Sequence, residues 1–348
     1  MTHRIAVTLA SAALAAAALS GGAAAQNADL TGAGSSFAYP IYSKWASMYA
    51  VKTGVHVNYQ SIGSSGGIRQ LSDLTVDFGA SDGPMTDEQM AAAKGGPIVH
   101  VPTVLGAVAI TYNVPGVRQP LRITGDVLAG IYLGTITRWN DAHLAALNPG
   151  VALPASDIVV VHRSDGSGTT YIFTDYLSTV SPAWAGGPGK SQTIAWPVGL
   201  GGKGSEGVTG VVKQTPGAIG YVELSYAKQN HLPVAFIRNA AGQWVAPTID
   251  GVTAAAAGAV AKLPANTDFR ISIVNAPGKA AYPISSFTWI LLYQNPRNPQ
   301  RAKALVDFLR WALHDGERVA PSLDYAPLPP SMVKMLDRRL NQVDLAAK

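Results

Sequence analysis

Apolar positions along the chain switch repeatedly between helical and strand spacing. Phe37, Ile41, Trp45 and Met48 fall on one helical face, which predicts a helix running to about Lys52. Pro40 fits because it lies in the first turn. Val55 to Tyr59 reads as a strand, Ile68 to Leu74 as a short helix, Val76 to Asp82 as a strand ending at a carboxylate, and Asp87 to Lys94 as another short helix. Val99 to Asn113, rich in Val, Ile and Thr, predicts one or two strands near a domain crossover. Helices follow at Ile123 to Leu133 and Trp139 to Leu147, then a buried strand at Ile158 to Val161 and a helix over 168–179. Ser181 to Lys190 reads as a surface loop, Ala218 to Leu224 as a strand, Trp244 to Thr253 as a polar edge, and Ile271 to Val274 and Ser286 to Tyr293 as late strands. Gln300 to His314 is strongly amphipathic, and Ser331 to Val343 is a terminal helix. This alternation predicts an α/β protein without internal repeats.

The joints between these elements carry the candidate chemistry. Arg163 to Thr170 (RSDGSGTT) joins a strand to a helix N-terminus. Such a terminus leaves backbone N–H groups without partners and carries partial positive charge, and glycines let an oxyanion approach the backbone. Ser167 and Thr169 add hydroxyl donors, and Arg163 adds a planar cationic fork suited to phosphate or carboxylate. A capped turn in which Arg163 only pairs with Asp165 fits this stretch equally well. Gly32 to Phe37 and Ser61 to Gly67 repeat the arrangement of glycines and hydroxyls ahead of a helix. Asp82, at the carboxyl end of its strand, falls where open α/β sheets bind their ligands.

Composition narrows the setting. The chain has 348 residues, enough for two domains. His3, Arg4, the apolar run Ile5 to Leu19 and Ala23 to Ala25 read together as a cleavable secretory signal over residues 1–25, so the mature chain starts at Gln26. There is no Cys, which excludes disulfides, thiol chemistry and lipid attachment at a signal-peptide cysteine. The formal charge of +5 becomes +4 once Arg4 is removed, because 5 − 1 = 4. With Lys and Arg dispersed, nothing resembles a nucleic-acid-binding stripe. Gly 36 and Pro 23 mark a loop-rich chain whose apolar residues still suffice for a core.

Two spellings point elsewhere. Gly63 to Gly67 satisfies G-x-S-x-G with Ser65 as nucleophile, but His100, His143, His162, His231 and His314 stand in no telling context. Gly199 to Gly204 satisfies G-x-G-x-x-G, yet Pro197 precedes it and Lys203 occupies the turn where backbone should meet pyrophosphate, so it reads as a glycine-rich connection. Metal-ligand spacing is missing from the sequence, and no cofactor is expected.

Thr31 to Phe37 (TGAGSSF), Tyr59 to Gly67 (YQSIGSSGG), Val76 to Asp82 (VDFGASD), Arg163 to Thr169 (RSDGSGT), Gly199 to Gly204 (GLGGKG), Pro216 to Glu223 (PGAIGYVE) and Asp126 to Gly134 (DVLAGIYLG) together resemble the periplasmic phosphate-binding proteins of high-affinity phosphate ABC transporters. The resemblance spans nearly the whole mature chain in order. It implies a bilobed, type II periplasmic-binding-protein fold of two α/β domains joined by two crossover strands, with residues 26–108 plus 284–348 as lobe I and 109–283 as lobe II. It implies phosphate contacts at Ser36, Phe37, Ser64, Asp82, Arg163, Ser167, Gly168 and Thr169, with Asp165 orienting the arginine. Ser36 stands where the family often has Thr, which keeps the hydroxyl. No catalytic residue is expected. The partners implied are inorganic phosphate and an inner-membrane phosphate ABC transporter permease, with the protein a periplasmic monomer that binds no nucleic acid. An exported phosphatase, or a binding protein for sulfate or molybdate, is the alternative reading.

Overall fold

The structure, a computed structural model, describes residues 29–346. The secretory signal read at residues 1–25 lies outside the described residues.

Strand β1 (Leu30–Gly34) leads to α1 (Tyr39–Thr53), β2 (Val57–Ser61), α2 (Ser64–Ser72), β3 (Phe78–Ser81) and α3 (Asp87–Ala91). Then come β4 (Ile98–Asn113), β5 (Arg122–Ile123), α4 (Gly125–Leu133), α5 (Ala142–Leu147), β6 (Val159–Arg163), α6 (Gly168–Val180) and α7 (Pro182–Gly186). The chain continues through β7 (Leu200–Gly202), α8 (Gly204–Gln214), β8 (Ala218–Glu223), α9 (Leu224–Gln229), β9 (Phe236–Arg238), β10 (Trp244–Val245) and α10 (Ile249–Val260). It ends with β11 (Ser285–Tyr293), α11 (Pro299–His314), a 3-10 helix over Gly316–Leu323 and α12 (Pro330–Leu340).

Eight strands form one curled sheet in the order β2-β1-β3-β11-β4-β8-β6-β7, and β10-β9-β5 form a small second sheet. The organising element is β4. Its 16 residues are buried except the last, and its first part pairs antiparallel with β11 while Val108 to Asn113 pair with β8. Both faces are covered, which explains a run without polar alternation. Pro102 cannot donate to the ladder, and the β4–β11 register slips between Thr288 and Trp289 beside it, as expected for Pro at a bulge.

Several expectations need correction. The glycine-rich stretch ahead of α1, to which the sequence assigned no strand, contains β1, hydrogen-bonded between β2 and β3. Its glycines serve close packing: a Cβ on Gly32 would lie 2.0 Å from the Phe78 ring. The stretch at 181–190 is not loop throughout. It contains α7, whose Trp184 is buried and donates Nε1–H to the Gly189 carbonyl at 2.8 Å. Ile271 to Val274 is irregular and forms no strand, and the edge at 244–253 yields a two-residue strand before α10. α8 and α9 are additional helices: the Gly- and Ser-rich opening of α8 hid its period, and α9 has six residues and follows β8 directly.

Candidate functional site

Four helices begin at one place. α1 follows the Ser35–Ala38 loop, α2 begins at Ser64, α6 at Gly168 and α8 at Gly204, and each brings a hydroxyl residue in its first turn or just before it. Ser36, Phe37, Ser64, Asp82, Arg163, Ser167 and Thr169 are all essentially buried there. Helix N-termini converging in this way give a region of positive partial charge lined with N–H and O–H donors.

The first loop is fixed through its carbonyls. Tyr59 Oη donates to the Ser35 carbonyl at 2.7 Å, Tyr226 Oη to that of Ser36 at 2.7 Å, and Tyr325 Oη to that of Phe37 at 2.5 Å. In trans peptides the N–H groups of Ser36 and Phe37 then point the opposite way. The Phe37 ring packs edge-on against Tyr325. Ser36 Oγ lies 3.1 Å from Ser205 Oγ and accepts the Ser205 N–H at 3.1 Å, so the first turn of α8 closes over this loop.

Asp82 follows β3 and sits among hydroxyls. Ser35 Oγ and Thr288 Oγ1 both donate to its Oδ1, the latter at 2.8 Å, and Ser64 Oγ lies 3.4 Å from Oδ2. Burial pushes the Asp82 carboxyl up to about 6, while the hydroxyls of Ser35, Thr288 and Ser64 and the charge of Arg163 pull it back. It is therefore ionised at neutral pH in a water-poor site.

Arg163 ends β6 and is buried. Its Nε donates to Asp165 Oδ1 at 2.7 Å and its Nη2 to Asp165 Oδ2 at 2.5 Å, a bidentate pair that fixes the guanidinium plane. The other edge faces α6, with Nη1 at 3.4 Å from Thr169 Oγ1. Burial opposes the charge of Arg163, but the bonds and charge of Asp165 outweigh it and hold its pKa above the ordinary value. Burial likewise raises Asp165, and the two bonds from Arg163 overcome it to leave that carboxyl low. Asp165 Oδ1 also accepts the Gly204 N–H at 3.0 Å, which ties the arginine to the start of α8.

Ser167 caps α6 by accepting the Thr170 N–H at 3.0 Å. Gly168 is set by proximity: a Cβ there would lie 2.5 Å from Ser64 Oγ and 2.6 Å from both Asp82 N and Oδ2. The two halves of the arrangement also touch directly. Ser65 N–H donates to the Gly166 carbonyl at 3.1 Å, and Ser65 Oγ donates to Gln192 Oε1 at 2.7 Å.

The structure thus brings together all eight expected contact residues, and Asp165 with them. Sequence reasoning missed Ser35, Ser205, Thr288 and the three tyrosines. A signal existed for Ser205, since Gly199 to Ser205 is a fourth joint of glycines and hydroxyl before a helix. Part of that segment, read as a connection, is the edge strand β7 paired with β6. Thr288 lies inside an apolar strand and gave no signal. As for the hydrolase spelling, Ser65 Oγ is engaged with Gln192 and not with a histidine. The described residues contain no group of three His, Cys, Asp or Glu able to hold a metal, and no helix among them is long and apolar enough to cross a membrane.

The curled mixed sheet, with the four helix N-termini converging beside it, fits a bilobed periplasmic-binding fold. The family model of the PBP superfamily domain matches residues 20–315. A phosphate-binding protein PstS of Xylella fastidiosa is 44% identical over 90% of this chain and 85% of its own length. One of Haemophilus influenzae is 44% identical over 90% of this chain and 92% of its own. Among solved structures, a high-affinity periplasmic phosphate-binding protein bound with phosphate superposes with a TM-score of 0.70 at 21% identity, covering 89% of this chain and 93% of that one. A phosphate ABC transporter substrate-binding protein of Clostridium perfringens, with bound phosphate, gives 0.63 at 17% identity, covering 87% and 100%. The chain belongs to the PstS family of phosphate-binding proteins within the PBP superfamily.

Proposed function

We propose that this protein captures inorganic phosphate between lobe I, residues 26–108 plus 284–348, and lobe II, residues 109–283, and delivers it in the periplasm to an inner-membrane phosphate ABC transporter permease. Phosphate contacts come from Ser36, Phe37, Ser64 and Asp82 on the first lobe and from Arg163, Ser167, Gly168 and Thr169 on the second. The observation that carries this is one ionised carboxylate, Asp82, set among helix N-termini, hydroxyls and a guanidinium. Near neutral pH, phosphate brings both lone pairs for the donors and a proton for the carboxylate, whereas sulfate and molybdate bring no proton. The names of the relatives support the same ligand.

The protein acts as a carrier and not as an enzyme. Ester hydrolysis would need an activated nucleophile, and the hydroxyl best placed by spelling, that of Ser65, is spent on Gln192. Calorimetric titration with phosphate, sulfate and molybdate is the test, with saturable binding of phosphate in preference to the others as the expected result. Equal binding of sulfate would move the assignment to another oxyanion. Turnover of an aryl phosphate would restore the phosphatase.

A further inference from the structure

The two oxygens of Asp82 are treated differently. Oδ1 receives Ser35 Oγ from the β1–α1 loop and Thr288 Oγ1 from β11, from opposite neighbours of β3. Trp289 pairs with Ser81, so Thr288 and Asp82, the next residue along each strand, come to face one another. Thr288 is itself fixed, since its carbonyl accepts Thr103 Oγ1 at 3.2 Å and Thr103 Oγ1 meets Tyr42 Oη at 2.7 Å. Ser35 Oγ is fixed by accepting the Ala38 N–H at 3.0 Å. Oδ2, by contrast, faces Ser64 Oγ only at 3.4 Å and looks toward Gly168 at the start of α6, where the second-lobe donors lie.

We propose that Ser35 and Thr288 are positioning residues for Asp82: they saturate Oδ1, leave Oδ2 facing the second-lobe donors with only the long contact from Ser64, and so make the site select an oxyanion that still carries a proton. The inference rests on the phosphate reading above. It assigns the selectivity to two hydroxyls that need not touch the ligand.

The electrostatic surroundings are consistent with that role. The groups facing Asp82 are Arg163 from β6, Glu223 from β8, Tyr42 from α1, Tyr59 from β2 and Tyr325 beyond the 3-10 helix. Burial raises the tyrosines further above their ordinary value of 10, so at neutral pH they are uncharged, burial pushes the Glu223 carboxyl up toward its neutral form, and Arg163 is the one positive charge among these neighbours. Hydroxyl donors to Oδ1 therefore carry much of the work of keeping the carboxylate ionised.

The test titrates phosphate and sulfate into wild type, Ser35→Ala, Thr288→Val and Thr288→Ser between about pH 5 and 8. A protonated Asp82 donates a hydrogen bond, which sulfate accepts, so in the wild type sulfate affinity rises as the pH falls through about 6. Losing one hydroxyl bond to a charged group shifts this rise upward by about one pH unit. The phosphate-to-sulfate ratio near neutrality then drops by about tenfold in Ser35→Ala and in Thr288→Val. Thr288→Ser, which keeps the hydroxyl, retains the wild-type ratio. If both anions weaken in parallel, or the ratio and its pH profile stay put in folded variants, the two residues are merely structural and the inference falls while phosphate capture stands. Failure of the wild type to bind phosphate would overturn both. Thermal unfolding of each variant separates a folding defect from either outcome, and the isosteric Thr288→Val keeps the test open if Ser35→Ala does not fold.

Discussion

If Asp82 selects the ligand as proposed, a single side chain concentrates the conflict between stability and selectivity. Its carboxyl rises from 3.8 to about 6 on folding. Between those values the unfolded chain binds fewer protons than the folded one, so this group's contribution to stability falls as the pH rises through that window. At neutral pH the ionised, buried carboxylate costs on the order of 3 kcal/mol. Asp82→Asn removes that charge, so the unliganded variant should melt higher near pH 7 and lose its advantage on acidification, as calorimetric scans at several pH values would show. The same substitution offers an amide donor in place of a charged acceptor, so sulfate should gain affinity with little loss of phosphate. An unchanged ratio would place the selectivity elsewhere. Arg163→Ala should weaken phosphate more than Ser64→Ala, because a charge-assisted contact is roughly twice a neutral one, and Arg163→Lys should recover only part, lacking the fork that Asp165 holds. Titrations of the three variants rank them. At this scale the sequence was informative wherever a residue's chemistry clashed with its setting, as a carboxylate or guanidinium does in a glycine-hydroxyl loop. It was silent on Thr288, a β-branched residue in an apolar strand, whose hydroxyl acquires a role only when β11 pairs with β3.

Among the elements, the helix N-termini were legible because glycine and serine before an apolar period mark where a helix starts. The structure moves those starts closer to the glycine-hydroxyl loops than the period alone predicted: α2 begins at Ser64 and not near Ile68. β1 escaped because its glycines, needed for packing against Phe78, removed the apolar signature of a buried strand. Gly168 tests how tightly α6 is docked. In a helix first turn, Gly→Ala is favourable for the helix itself, yet the new methyl would meet Ser64 and Asp82, which belong to the other proposed lobe. Gly168→Ala should therefore leave the melting temperature of the unliganded protein near wild type while lowering phosphate affinity by roughly fivefold to a hundredfold, since overpacking typically costs about 1–3 kcal/mol. A variant that binds normally would show that α6 does not need this approach. Farther from the cleft, Glu317 in the 3-10 helix is buried, accepts the Leu328 N–H at 3.3 Å, and is pushed by burial up to about 9 from 4.5. The unfolded state binds fewer protons across that range, so stability from this group declines as the pH climbs from 4.5 toward 9. Glu317→Gln should flatten the alkaline fall in melting temperature, and an identical slope would argue that the carboxyl is hydrated.

For the whole molecule, the alternation of helix and strand made an α/β class plain from the sequence, whereas the single curled sheet running through β4 depends on long-range pairing that no local period encodes. Contacts across the proposed lobe boundary include Ser65 to Gln192, Ser36 to Ser205, Tyr226 to the Ser36 carbonyl, Lys228 to Asp324 at 2.6 Å and Arg270 to Asp87 at 2.7 Å. If the lobes open and close, each of these favours the closed form whether or not ligand is present. Phosphate bound as proposed would bridge both lobes, add its own contacts there and shrink the radius of gyration in solution scattering. Gln192 isolates the latch from the ligand. Its Oε1 accepts Ser65 Oγ, and its Nε2 lies 3.3 Å from Ser81 Oγ and 3.5 Å from the Gly83 carbonyl, all on the opposite lobe. Gln192→Ala lowers the population of the closed form, and apparent affinity falls by that fraction. One good neutral hydrogen bond is worth about 1 kcal/mol, so the expected loss is roughly fivefold. Because the closed site itself is unaltered, phosphate and sulfate should weaken together and their ratio should hold, opposite to the behaviour expected of Asp82→Asn. Parallel titrations of both anions into the two variants distinguish them: a ratio that moves in Gln192→Ala would mean that this side chain shapes the site, and unchanged affinity would mean that closure does not depend on it.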